Sequence, residues 1–297
     1  MSTPTAPEPG VIPPLFAGLV DDAAIFPPGN LPLAEAVAAH HAHRAAWYAD
    51  LVGQFLVGSA RVADLAALAD PEQPLRVGVV VAGGASAVGD AVRMVLETPG
   101  LVLAGVEAAG DPAQVVGAYH EHLPEGVPGA VEVAADESMP DALDAIAETR
   151  HRAKFRTGGT VADAFPDDGR LAAFLAGCVA RELPFKLTAG LHNAVRHTDP
   201  VTGFRHHGFL NVLTALRIAQ ADRAAGLPLV VHSIARALGD PDPAVVAARI
   251  RRTAAAHGAE YRAAFTAFGS CSIAEPLGDL VTLGLIAPPA DPKEQTP

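Results

Sequence analysis

Short, nearly unbroken apolar runs alternate along the chain with longer Ala-rich stretches in which apolar residues recur at helical spacing. The runs cover residues 17–22, 52–58, 75–82, 101–107, 130–134, 152–156 and 184–188, and the stretches between them cover 33–49, 60–69, 85–97, 112–122, 140–149 and 169–182. Strands that are covered on both faces read as continuous Val/Leu runs, whereas half-exposed strands alternate apolar and polar. A strand followed by an amphipathic helix, repeated about every 25 to 30 residues, predicts parallel strands joined by crossover helices.

Seven strands are plain in this pattern and the eighth is ambiguous. LVVH at 229–232 follows a long helical stretch at 209–225, but Val230, Ile234 and Leu238 lie four apart, which suits a helix. AFTAFGSC at 264–271 is followed by Ser272 and, three residues on, Glu275, a helix-start signature. We take 264–271 as the eighth strand and 227–257 as helical decoration of the seventh unit. Eight such units predict a single-domain α/β fold, a (βα)8 TIM-type barrel over residues 15–286 with a helical insertion between units seven and eight. The alternative is a doubly wound open sheet, but no Gly-x-Gly-x-x-Gly opens the chain. The Pro-rich segments 1–14 and 287–297 read as mobile tails.

Composition narrows the function. The chain has 297 residues, 50% of them hydrophobic and 18% charged, which is enough to bury a core and argues against disorder. A net charge of -12 disfavours nucleic-acid and anionic-membrane partners. It still allows a small anionic substrate in a local basic pocket. No run is long enough to span a membrane, and 1–14 lacks a basic segment followed by an apolar core. Two cysteines, Cys178 and Cys271, make no disulfide framework. The reading is a reduced, cytoplasmic, enzyme-sized protein, and the barrel class leaves a homodimer open.

In a (βα)8 barrel the site lies at the C-terminal ends of the strands. The expected strands end in Asp21-Asp22, Glu107, Glu132, Lys154 to Gly159, Lys186 to Asn193, and Gly269 to Ser272. Only three lysines occur, against 18 arginines; Lys293 is in the tail, while Lys154 and Lys186 fall at matching places on consecutive strands. A desolvated lysine, unlike arginine, can lose its proton near neutral pH and act as a nucleophile or base. A second cation beside it favours this further. Side chains alternate along a strand, so Lys154 shares a face with Arg156 and Lys186 with Thr188. The competing reading of the lysines is a buried ion-pair network with Glu107 and Glu132.

Thr157-Gly158-Gly159 and Gly269-Ser270-Cys271-Ser272 follow strands six and eight, where glycines let backbone N–H groups approach an anion. Glu107 and Glu132 are candidate proton carriers, or ligands with Asp21 or Asp22 for a hard cation. His40, His41 and His43 lie on an Ala-rich helix and read as solvated. His192 follows Gly190 in a long loop and reads as an acid/base or substrate contact, and His206-His207 as part of a lid. No zinc, P-loop or nucleophile-elbow motif is present. Cys271 has no base identifiable in the sequence and reads as a small apolar residue.

DDAAIFPP at 21–28, KFRTGG at 154–159, FKLTAGLH at 185–192 and FGSCS at 268–272 resemble an uncharacterised family of bacterial barrel proteins. A weaker resemblance is to class I aldolases of the deoxyribose-phosphate aldolase type. There, a strand-six lysine in Lys-x-Ser-Thr-Gly forms the Schiff base, a second lysine lies on strand seven, and a Gly/Ser-rich turn after strand eight holds phosphate. The resemblance implies that Lys154 is the Schiff-base amine and Lys186 the second lysine. Thr157-Gly158, Ala189-Gly190 and Gly269 to Ser272 match its loops. Arg156 departs from the small residue expected there, and Glu107 is the only acid near the family's proton-relay position on strand four.

Three functions are expected from these residues. The first is a cofactor-free, aldolase-like lyase acting on a small phosphorylated or carboxylated carbonyl compound through a Lys154 imine. Lys186, Glu107, Glu132 and His192 assist, and Asp22, Arg156, Thr157, Gly158, Gly159, Thr188, Gly190, Ser270, Cys271 and Ser272 bind substrate. The second is a Mg or Mn enzyme with Asp22, Glu107 and Glu132 as ligands and a lysine base. The third is a non-catalytic barrel that binds an anionic metabolite or serves as a scaffold.

Overall fold

The computed structural model describes residues 7–290, with the backbone alone for 253–257. Its core is a closed barrel of parallel strands: β1 (Val20–Asp22), β2 (Val52–Gly58), β3 (Leu75–Val81), β4 (Leu101–Ala108), β5 (Gly129–Glu132), β6 (Arg152–Arg156), β7 (Phe185–Thr188) and β10 (Phe265–Ser270). Two short strands, β8 (His197–Thr198) and β9 (Arg205–His206), pair antiparallel as a hairpin outside the barrel. The ring closes between β1 and β10. The eighth barrel strand is therefore the 264–271 segment, and 229–232 runs into a helix as its four-residue spacing suggested.

The helices are α1 (Leu33–Ala45), α2 (Val62–Ala66), α3 (Val88–Leu96), α4 (Pro112–His122), α5 (Met139–Ala147), α6 (Asp168–Ala180), α7 (Phe209–Ala224), α8 (Val231–Leu238), α9 (Pro243–Ala264) and α10 (Ala274–Thr282). α4 has a legible start: Asp111 accepts from the Gln114 amide, and Pro112 occupies the first turn, where a missing N–H costs nothing. The Ser272 hydroxyl accepts from the Glu275 amide at 3.2 Å at the start of α10. α8 and α9 are the insertion between units seven and eight.

Side chains alternate along β6 and β7. Phe155, Phe185 and Leu187 face the helices, while Lys154 and Lys186 face the barrel axis. Stacked rings cement the outer layer: Phe155 on Phe174 at 4.5 Å and Phe185 on Phe265 at 5.3 Å. The register shifts between Phe265 and Ala267, so that Phe265 pairs with Phe185 and Ala267 with Lys186. This bulge keeps Phe265 and Phe268 both on the helix side.

The described parts of the two terminal segments meet, with the Gly10 amide donating to the Ala287 carbonyl at 2.8 Å. The remainder of both tails, including Lys293, lies outside the described residues. Among the described residues, no helix is long and apolar enough to cross a membrane.

Candidate active site

Inside the barrel a chain of alternating charges crosses from β1 to β5. Asp21 Oδ2 lies 2.7 Å from Lys186 Nζ, and Lys186 also donates to Glu107. The other oxygen of Glu107 lies 2.8 Å from Lys154 Nζ, which is 3.1 Å from Glu132. Lys154 is in register with Lys186 on one side and with Glu132 on the other, so these side chains share one layer of the barrel interior. Asp21, Glu107, Lys154 and Lys186 are all buried, whereas the Glu132 side chain keeps 23% of its exposure. Both the convergence of the lysines and their pairing with carboxylates are thus present together. The two ammonium groups do not face each other bare; Glu107 bridges them.

Burial alone would push Glu107 up, but Lys154 and Lys186 outweigh it and hold the carboxyl down to about 2. Burial would lower Lys186, but Asp21 and Glu107 raise it well above the ordinary lysine range. Lys186 is therefore held as a cation, the state expected of the second lysine beside Lys154. Glu107 is a fixed anion and a poor base.

Space for this network comes from missing side chains. A Cβ on Gly53 would collide with the Asp21 carboxylate, and one on Gly78 would come within 2.6 Å of Gln54. Gln54 fills that room: its backbone N–H donates to Asp21 Oδ1 and its side-chain amide to Asp21 Oδ2, each at 3.1 Å. Gln54 was missed in the sequence, although a lone amide within an apolar strand is a readable signal.

Asp22 points the other way. Adjacent strand residues face opposite sides of the sheet, so Asp22 leaves the interior and meets His40 on α1 at 2.9 Å, with the Ala24 amide on its second oxygen. His40 is buried against Phe55 at 5.5 Å, and His43 bonds Tyr48 at 3.0 Å; neither is the solvated histidine that the Ala-rich helix suggested. The ligand set Asp22, Glu107 and Glu132 is consequently not assembled. Two of its members meet Lys154 and the third meets His40, and among the described residues no three His, Cys, Asp or Glu side chains are grouped to hold a metal ion.

A cavity of about 640 Å³ opens at the C-terminal mouth of the barrel. Lys154 is the network member that reaches it, joined by Arg156, Gly159, Thr188, Gly190, His192 and Cys271. The Arg156 guanidinium is exposed and, among the described residues, makes no hydrogen bond or ion pair. The roof was not foreseen in detail. Phe165, from the loop after β6, packs on Phe204 at 5.2 Å and on His206 at 4.6 Å, bringing the β8–β9 hairpin over the mouth. The base of that hairpin is pinned: Arg196 lies 2.9 Å from Asp168 and 3.1 Å from the buried His207, whose other nitrogen lies 2.8 Å from the Pro166 carbonyl. Of the expected lid pair, His206 lines the cavity and His207 anchors it. Ala189 and Gly190 both adopt left-handed backbone, φ 59° and 77°, as the chain turns above β7.

The other candidates are engaged in structure. The Thr157 hydroxyl donates to the carbonyls of Thr188 and Ala189, stitching β6 to β7. Gly158 permits close approach to Gly190, since an added Cβ would lie 3.0 Å from the Gly190 Cα. Buried Ser270 donates to the Ser272 carbonyl at 2.7 Å. His192 Nδ1 lies 3.3 Å from Ser270 Oγ, 3.4 Å from Glu275 and 3.5 Å from Cys271 Sγ, so a base does stand beside the thiol. Burial and Glu275 nevertheless push the Cys271 thiol up, which disfavours the thiolate. Cys178 and Cys271 are both free.

Comparison of the chain with protein-family profiles, curated proteins and solved structures returned no match.

Three histidines give the protein an acid limit. Burial, with neighbouring cations or imidazoles adding to it, holds His192, His151 and His207 down to about 4 from 6.5. Between those values the unfolded chain binds protons that the folded chain refuses, so stability falls as pH falls. Glu107 extends the loss from 4.5 toward about 2. The thermal unfolding midpoint is expected to drop steadily as pH is lowered from 6.5 to 4. A flat or rising midpoint over that window would contradict this assignment.

Proposed function

We propose that the protein is a lyase that acts on a small carbonyl compound with an anionic group, through an imine on Lys154. One observation carries the reading. Of two buried amines on one shared carboxylate, only Lys154 opens onto the mouth cavity, and it has a second, partly exposed carboxylate, Glu132, at 3.1 Å.

The division of labour follows from charge. Lys186 and Glu107 are locked as an ion pair and supply a constant field. Moving a proton from Lys154 to Glu132 leaves the summed charge of the network unchanged, and it produces the free electron pair that attacks the carbonyl carbon. The carbonyl oxygen leaves as water with one of the two protons of the neutral amine and the one returned by Glu132, and the nitrogen keeps its last proton, so the imine forms in its protonated state. The protonated imine withdraws the electron pair of the adjacent C–C bond when that bond breaks. His192, which lines the same cavity, accepts the proton of a substrate hydroxyl in this reading. Arg156, two residues along the same strand face, offers its guanidinium to the anionic group. The resemblance to class I aldolases supports Lys154 as the imine-forming amine, while Arg156 and the lack of a matching Asp on strand four depart from that family's pattern.

The test is incubation of the full chain with a panel of small aldehydes and ketones, with and without phosphate or carboxylate groups, followed by borohydride reduction. A covalent mass gain that matches the reduced imine is expected for at least one anionic member. No gain across the panel would remove the basis of the reading.

A further inference from the structure

A second cavity, of about 430 Å³, adjoins the first and is not used by the mechanism above. It lies among the loops after β4, β5 and β6, and Arg156 lines both cavities. Glu132, which lies 3.1 Å from Lys154, forms part of its wall, so one side chain separates this cavity from the reactive amine. The wall also carries Arg170, at the start of α6. Both guanidinium groups are exposed and, among the described residues, make no hydrogen bond or ion pair. Other wall charges are Asp163 and Glu132, the latter engaged by Lys154.

Two unengaged guanidinium forks on one cavity suit an anion with several oxygens and more than one charge. A carboxylate needs only one fork. In the two turns that read as anion sites, the Thr157 and Ser270 hydroxyls are taken by backbone carbonyls and the Ser272 amide by Ser270 Oγ, so they offer an anion less than the two free guanidinium groups do. The geometry points to the side cavity as a phosphate subsite, clamped by Arg156 and Arg170, which makes the substrate a phosphate monoester with its carbonyl directed back to Lys154. This rests on the lyase reading for the carbonyl, but not for the phosphate. Asp163 on the same wall opposes the anion and tempers its affinity.

Calorimetric titration of the full chain at low ionic strength, at a mildly alkaline pH where inorganic phosphate is mostly a dianion, tests this with inorganic phosphate and with acetate. Phosphate is expected to bind, with acetate weaker by about tenfold or more. Arg170→Gln is expected to weaken phosphate by about tenfold or more, the scale of one lost charge-assisted hydrogen bond, and Asp163→Asn to tighten it. The Arg170 guanidinium is exposed and unengaged, so its replacement leaves the fold intact, which an unchanged melting midpoint verifies. No phosphate binding, equal affinity for acetate, or phosphate affinity indifferent to Arg170→Gln would overturn the subsite. Neither probe forms an imine, so intact phosphate binding together with a failed borohydride trap would refute the lyase reading alone.

Discussion

Replacement of Lys186 by methionine is expected to lower folding stability by about 3–5 kcal/mol, the cost of removing one partner from a buried ion pair. Lys186 is 2% exposed and stands between Asp21 and Glu107, in an interior that offers neither carboxylate water. Its removal leaves Glu107 with Lys154 alone and Asp21 with only the two Gln54 donors. The penalty comes mainly from carboxylates left in low dielectric, and much less from the attraction lost. A double replacement should expose this. Lys186→Met combined with Asp21→Asn removes a charge of each sign, and it should cost clearly less than the sum of the two single changes. Urea unfolding measures both quantities. Strict additivity, or a Lys186→Met loss below about 1 kcal/mol, the range of an exposed pair, would show that the network is solvated.

Replacement of Lys154 by arginine is expected to leave the protein folded and to abolish turnover of whichever carbonyl compound the amine traps. The cation between Glu107 and Glu132 is retained, so the charge pattern of the interior survives. The nucleophile does not survive, because arginine keeps its proton. A loss on the order of 10⁴-fold or more is expected, the scale seen when a covalent nucleophile is removed, along with loss of the borohydride adduct. Full retention of activity would point to a site in which charge alone matters, as in a barrel that only binds an anion. The two lysines thus differ in kind: Lys186 is replaced at the expense of the fold, Lys154 at the expense of the chemistry.

The barrel was legible because a strand covered on both faces leaves an unbroken apolar run, and seven of these are spaced by helix-length segments, with the eighth strand picked out by the helix-start signature after 264–271. Boundaries moved where capping or tight turns intervened: the predicted helix over 60–69 shrinks to α2, preceded by a 3-10 turn at Ser59–Arg61. The lysine pair was legible for a different reason, as two rare residues at equal positions on consecutive strands. Asp21 and Asp22 show where such reading stops. Both sit at the end of β1, and alternation says that they face opposite ways without saying which one faces in. That choice is made by Gly53, whose missing side chain leaves room for Asp21, and by His40, which takes Asp22. The hairpin roof was illegible for a third reason. Its contacts join Phe165 to Phe204 and Asp168 to Arg196, pairs far apart in sequence that meet only once the barrel has brought the loops after β6 and β7 side by side.

The assignment of roles to the two lysines stands most directly on the location of a trapped carbonyl. After borohydride reduction, peptide mapping by mass spectrometry is predicted to place the adduct on Lys154, with Lys186 and Lys293 unmodified. An adduct on Lys186 instead, or one spread without preference over lysines and the N-terminal amine, would contradict the assignment of Lys186 as a fixed cation and Lys154 as the reactive amine.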